Sequence, residues 1–199
     1  MYFFGDTYFE SLIFKIVFQV VFSLVLLSEI VIFVLSARRR HKHSGKSQDR
    51  GSMLLVMTGF WTAVAVNPVC VRLFSWILPD ALFWAGVGAA MLGVAVRIAA
   101  VHRLGAFFTL AVQTEEKQTL INTGVYKFLR HPAYTGSILT LLGISLAFRS
   151  PEGLVAVLII TALIYGYRIR IEEKTMEDVF GEAYLEYEKQ TWRLIPFIW

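Results

Sequence analysis

Residues 12–37 form an unbroken apolar run in which Lys15 and Glu29 are the only charges. A helix needs about 20 predominantly apolar residues to cross a bilayer, so this run reads as a transmembrane helix. Further apolar blocks follow at 52–78, 81–101, 133–148 and 154–167. Soluble domains average about 25% charged residues, and this chain of 199 residues has 17%. The deficit is concentrated in the blocks, which rules out an ordinary soluble core.

The charges between the blocks set an expected topology. Arg38-Arg39-Arg40-His41-Lys42-His43 ends the first block, and the loop runs on to Arg50. Basic loops stay in the cytoplasm, so the N-terminus is expected outside and the C-terminus inside. The net charge of +4 is explained by these flanks and implies no nucleic-acid partner. Asp6 and Glu10 replace the basic start of a signal peptide, so the first helix is expected to be retained. Cys70 is the single cysteine and can form no internal disulfide. His41, His43, His102 and His131 are not spaced as ligands, so no metal site is expected. No long internal repeat or low-complexity segment is present.

The expected fold is all-α: one membrane domain over residues 1–199, with about five transmembrane helices. Residues 1–80 supply the N-terminal helices, and 97–199 the half that carries chemistry. Asn67-Pro68 is expected to kink the second helix. Ala85, Ala89 and Gly93 recur as a small-residue stripe suited to close packing. The last two blocks, each of roughly 15 residues, are short for a bilayer, so a thinned or partly re-entrant hairpin is allowed. From Arg168 onward, Met176, Val179, Phe180, Ala183, Tyr184 and Tyr187 share one helical face. They predict an amphipathic C-terminal helix on the cytoplasmic side.

A hairpin of the last two blocks brings Arg130-His131-Pro132 beside Arg168, Arg170, Glu172 and Glu173. Ionisable residues gathered at a membrane boundary mark a functional site. The alternative use of Arg168 and Arg170 is to anchor the helix end by snorkelling. Arg97 serves equally as an anchor or as a pairing residue. Glu29, deeper in a helix, needs a partner that the sequence does not identify.

The motif Leu120-Ile121-Asn122-Thr123-Gly124-Val125-Tyr126 is followed by Arg130-His131-Pro132-Ala133-Tyr134-Thr135-Gly136. Arg168, Glu172-Glu173, Phe180-Gly181-Glu182-Ala183-Tyr184-Leu185-Glu186-Tyr187 and Ile195-Pro196 come after in order. Together with Leu104-Gly105 and Phe108-Thr109, this series resembles the isoprenylcysteine carboxyl methyltransferase family over roughly residues 97 to 197. The resemblance implies a membrane methyltransferase that uses S-adenosylmethionine, bound on the cytoplasmic side under the C-terminal segment. Carried over by position, the cofactor contacts are Gln113, Gln118, Thr119, Leu120, Ile121, Tyr126, His131, Pro132, Ala133, Tyr134 and Glu172. Arg168 is the implied catalytic and substrate-binding residue. Gln118 departs from the histidine often found there in the family.

The implied acceptor is the carboxylate of a prenylated cysteine or a similar lipophilic molecule entering from the bilayer. A carboxylate is already ionised at neutral pH and needs no base. A second reading is a phospholipid or amine N-methyltransferase, which does need a base, with Glu173 or His131 as candidates. A third is a sterol-type membrane reductase using NADPH, although Ala133 stands where such enzymes carry asparagine. A non-enzymatic membrane scaffold is the fourth. The short chain and small loops suggest a prokaryotic plasma membrane, with the endoplasmic reticulum as the alternative.

Overall fold

The computed structural model describes residues 8–42, 46–47, 51–105, 108, 113–114 and 120–196. Its helices are α1 (Leu12–Lys42), α2 (Ser52–Leu73), α3 (Ala81–Leu104), α4 (Pro132–Ala147), α5 (Pro151–Phe180) and α6 (Glu182–Lys189). A 3-10 turn, Gly124–Lys127, precedes α4. The loops after α1 and α3 meet in an antiparallel pair of two-residue strands, β1 (Lys46–Ser47) and β2 (Gln113–Thr114). The protein is an all-α integral membrane protein: α1, α2, α3 and α5 are long and apolar enough to cross a membrane.

α4 is the short member of the set. Its 16 residues span about 24 Å at the helical rise, less than the roughly 30 Å of a bilayer core. The fifth apolar block, expected to form a short member of a hairpin, does not end its helix at Tyr167. It is the first part of α5, a continuous helix of 30 residues. Ser150 caps α5 by accepting from the Gly153 amide at 3.2 Å, and Pro151 takes the first position, where a missing N–H costs nothing. The last charge-poor residue is Tyr167; from Arg168 to Asp178 the same helix is densely charged. α5 thus carries the chain straight out of the apolar layer and into the site.

The expected single C-terminal amphipathic helix is broken in two. Gly181 adopts φ 52 and ends α5, a conformation that a residue with a Cβ resists. The turn redirects α6 so that Tyr184 and Tyr187 are buried, whereas Val179 is exposed and Ala183 faces solvent. α2 ends at Leu73, earlier than the apolar pattern suggested, and runs on through Pro68. The Asn67 side-chain amide donates to Ala63 O at 2.8 Å and reaches Val64 O, the carbonyl that the proline leaves without its amide partner.

The tightest seam is between α3 and α4. It uses Gly93, as the expected Ala85-Ala89-Gly93 stripe does, but Gly86 and Ala90 in place of Ala85 and Ala89: Ala85 is exposed. A Cβ on Gly86 would lie 2.5 Å from Ala147 N, and one on Gly93 2.5 Å from Thr140 N. Backbones therefore touch directly, with Gly136 and Gly143 opposite. At the end of the bundle away from α6, Phe9, Phe14, Phe18, Phe83 and Phe148 form an aromatic core, with Phe14 and Phe83 stacked at 4.0 Å.

Glu29 has its partner. Its Oε2 lies 3.0 Å from Arg97 Nη2, and Arg97 also donates to Ser137 Oγ. Arg97 is buried, so pairing, not anchoring, is its role. The contact ties α1 to α3 and α4 at membrane depth, where an unpaired charge is costly.

Candidate active site

The site forms where α4 begins and α5 leaves its apolar part. Pro132 opens α4 at the first helical position and is fully buried. The adjoining segment 128–131 is held from outside by the C-terminal chain: Arg130 N donates to Trp192 O at 2.8 Å, His131 N to Arg193 O at 3.2 Å, and Trp192 N to Phe128 O at 3.0 Å. Thr135 Oγ1 adds a bond to Leu194 O at 2.8 Å. The C-terminal segment is therefore built into the site wall.

Glu173, on α5, is the hub of the charged cluster. Arg193 grips it with a fork: Nε donates to Oε1 at 3.0 Å and Nη2 lies 2.8 Å from Oε2. Arg130 Nε donates to Oε1 at 3.2 Å, and His131 Nε2 lies 3.2 Å from the same oxygen. Burial alone would raise this carboxyl, but the hydrogen bonds and charges of His131 and Arg193 outweigh it and hold it at about 2. An ionised carboxylate only accepts, so the His131 proton sits on Nε2. Arg130 continues outward to Glu188 O at 2.8 Å and to Glu188 Oε1 at 3.2 Å.

The second layer of the site centres on Tyr134, one turn into α4. Its hydroxyl donates to Glu172 Oε2 at 2.5 Å and accepts from Arg168 Nε at 2.9 Å. Its ring stacks on His131 with centroids 5.6 Å apart. Arg168 is 3% exposed and donates through Nη1 to Ser52 Oγ on α2. Glu172 is more open than Glu173, with 26% of its side chain exposed. Its other oxygen, Oε1, makes no hydrogen bond among the described residues.

The hairpin geometry anticipated from the apolar blocks is present: His131, Tyr134, Arg168, Glu172 and Glu173 come together. Arg170 does not join them; it is exposed on another face of α5. Tyr126 is buried in the 3-10 turn. Burial, then the nearby Glu172, raises its hydroxyl pKa, and its carbonyl accepts from Tyr187 Oη at 2.6 Å. The Tyr187 hydroxyl is itself pushed up to about 12 by burial, so it remains a donor. Leu120 and Ile121 lie half-buried ahead of this turn, and Ala133 half-buried in the first turn of α4. Gln113 is placed by the β2 backbone; Gln118 and Thr119 fall outside the described residues. Among the described residues no group of His, Cys, Asp and Glu could hold a metal ion.

Ser52, Glu188 and Arg193 belong to this assembly but went unassigned in the sequence. Ser52 lies 116 residues from Arg168, and after a glycine at a helix start it reads as an ordinary cap. Arg193 sits between Trp192 and Leu194, where a basic residue resembles an interface anchor.

Comparison with known proteins places the chain. The family model described as phospholipid methyltransferase matches residues 81–183. The protein-S-isoprenylcysteine O-methyltransferase of Saccharomyces cerevisiae is 34% identical over 131 residues, which cover 64% of this chain and 55% of that one. The isoprenylcysteine O-methyltransferase B of Arabidopsis thaliana is 29% identical over 57% of this chain and 58% of its own. The chain thus spans a little over half the length of these curated relatives. A solved eukaryotic intramembrane Ras methyltransferase, isoprenylcysteine carboxyl methyltransferase, shares the fold with a TM-score of 0.66 and 23% identity, covering 92% of this chain and 67% of that one. The chain is thus similar to isoprenylcysteine methyltransferases over about three fifths of its length, and with a family model covering over half its length it belongs to the phospholipid methyltransferase family.

Proposed function

We propose that this protein transfers a methyl group from S-adenosylmethionine to the carboxylate of a prenylated cysteine or a similar lipophilic acceptor. The observation that carries the reading is a buried Arg168 whose guanidinium is tied by Nε to Tyr134 Oη at 2.9 Å, at the point where α5 emerges from the apolar layer. A buried arginine at that depth is suited to an anionic group attached to a lipid chain. The names of the relatives, which are protein-S-isoprenylcysteine O-methyltransferases, support the same acceptor.

The residues present fit the cofactor. Glu172 is half-open, and its Oε1 is available to accept from ribose hydroxyls or an amine. Tyr134 fixes the other oxygen of that carboxylate at 2.5 Å. His131 and Tyr126 offer flat apolar bodies with polar tips, which suits a mixed pocket. Gln113, Gln118, Thr119, Leu120, Ile121, Pro132 and Ala133 complete the proposed contact set through the segments flanking the 3-10 turn. When bound, S-adenosylmethionine supplies an electrophilic methyl on a sulfonium. The task of the protein is to orient the acceptor and exclude water: Arg168 holds the acceptor carboxylate, and the strapped C-terminal segment closes the polar side.

The N-methyltransferase reading asks for a base. Glu173, held at about 2, is far too weak to take a proton from an ammonium at neutral pH. That favours an acceptor already ionised. We further propose that the charged end of the bundle faces the cytoplasm and the N-terminus lies outside, because Arg38, Arg39 and Arg40 end α1 on that side.

The test is labelled methyl transfer from S-adenosylmethionine to a small prenylcysteine analogue by the purified protein in detergent. Transfer is expected, together with thermal stabilisation by S-adenosylhomocysteine and none by NADPH. Stabilisation without transfer to the prenylcysteine, but with transfer to phosphatidylethanolamine, would move the acceptor to an amine. Stabilisation by NADPH alone would reject the methyltransferase reading, and a response to neither ligand would favour a scaffold.

A further inference from the structure

We infer that Ser52, at the start of α2, is a positioning residue that sets the plane of the Arg168 guanidinium for the acceptor carboxylate. The inference deepens the proposed function and rests on it. Ser52 is 0% exposed. It lies outside residues 81–183, so the family match does not reach it.

Serine at a helix start ordinarily satisfies a backbone amide of the first turn. Here Gly51 occupies the cap position in the left-handed conformation and has no side chain to offer the first turn. The Ser52 hydroxyl is turned instead to Arg168, whose Nη1 donates to it. Tyr134 Oη takes the Nε proton of the same group. A guanidinium is planar, with its donors in a fixed fork. Bonds at two of its nitrogens, from two different helices, fix the orientation of that plane.

The register that delivers Ser52 is mechanically set. α2 and α5 run antiparallel, and three contacts lie along one line: Ser52 with Arg168, Gly59 with Ile164, and Asn67 with Gly153. A Cβ on Gly153 would come within 2.9 Å of Asn67 Oδ1, and a Cβ on Gly59 would collide with the Ile164 side chain. The two glycines make room for these side chains in this register, and it places Ser52 at Arg168. The N-terminal half of the chain thereby contributes a polar group to the site.

The experiment compares the full-length protein with Ser52→Ala, using labelled S-adenosylmethionine and a farnesylcysteine analogue in detergent. A lost hydrogen bond to a charged group predicts a fall of about ten-fold in kcat/KM for the acceptor. The KM for S-adenosylmethionine and the thermal stabilisation by S-adenosylhomocysteine should not change. In an Arg168→Lys background, which lacks the fork, the same Ser52→Ala change should cost little more. Unchanged acceptor kinetics in Ser52→Ala would overturn the inference. So would an equal loss for both substrates accompanied by a lower melting temperature, which is the signature of a structural role. Failure of the proposed function is separately visible: the unaltered protein would then not methylate the analogue at all, and the inference would fall with it.

Discussion

His131 Nε2 lies 3.2 Å from Glu173 Oε1, although the two residues are 42 apart in the chain. This contact joins the first turn of α4 to the charged part of α5, and Arg193 locks it from the C-terminal side with Nη2 at 2.8 Å from Glu173 Oε2.

The pH dependence of that cluster follows from its sign. The Glu173 carboxyl is lowered from an ordinary 4.5 to about 2 in the folded protein. A lowered carboxyl contributes stability that is present above the unfolded value and lost as pH falls through the folded one. Glu173→Gln should therefore lower the melting temperature in detergent at pH 7. The gap from the unaltered protein should narrow as pH falls from 4.5 towards 2. A gap that stays constant over that window would show that charge is not what the cluster contributes.

Arg168→Lys should lower methyl transfer by about a hundred-fold or more, because an ammonium cannot reproduce the planar fork. Stabilisation by S-adenosylhomocysteine should survive, since Arg168 is assigned to the acceptor and not to the cofactor. Binding titrations alongside transfer assays check both halves. Glu172→Ala should give the opposite pattern, with cofactor binding lost first.

The ion pair between buried Arg97 and half-buried Glu29, at 3.0 Å, should behave as a unit. Removing one partner leaves a buried charge uncompensated and should cost about 3 kcal/mol or more. Arg97→Met combined with Glu29→Gln should cost clearly less than the sum of the two single changes. Thermal unfolding of the four proteins in a double-mutant cycle measures the coupling.

Gly143 and Gly88 make a contrasting pair. A Cβ on Gly143 would press into the backbone of Ala90 and lie 2.7 Å from Gly86 O, so Gly143→Ala should force α3 and α4 apart and destabilise by about 2 kcal/mol. Gly88 has nothing within 4 Å of its added Cβ. Gly88→Ala should be neutral or stabilising by up to about 1 kcal/mol, the helix-propensity gain. Melting temperatures of the two variants check the assignment of the packing face.

The sequence by itself determined the membrane character, the apolar helices and the half of the chain in which the charged cluster gathers. Each of these depends on local properties: runs of apolar residues and charges at their ends. It also placed His131, Arg168, Glu172 and Glu173 together, because a hairpin of adjacent helices returns the chain to the same bilayer face. The small-residue stripe kept Gly93 but shifted by one at its other two positions because Ala and Gly are both small, and only contact with α4 selects Gly86 over Ala85. The length of α5 was hidden because charges that end an apolar block do not end a helix. Tertiary structure alone decided that Glu29 pairs with Arg97, that Arg193 reaches Glu173, and that Ser52 meets Arg168. These residues are brought together by helix register and by the path of the C-terminal segment. Such long-range contacts leave no periodicity in the chain, because what fixes them is which backbones can approach closely.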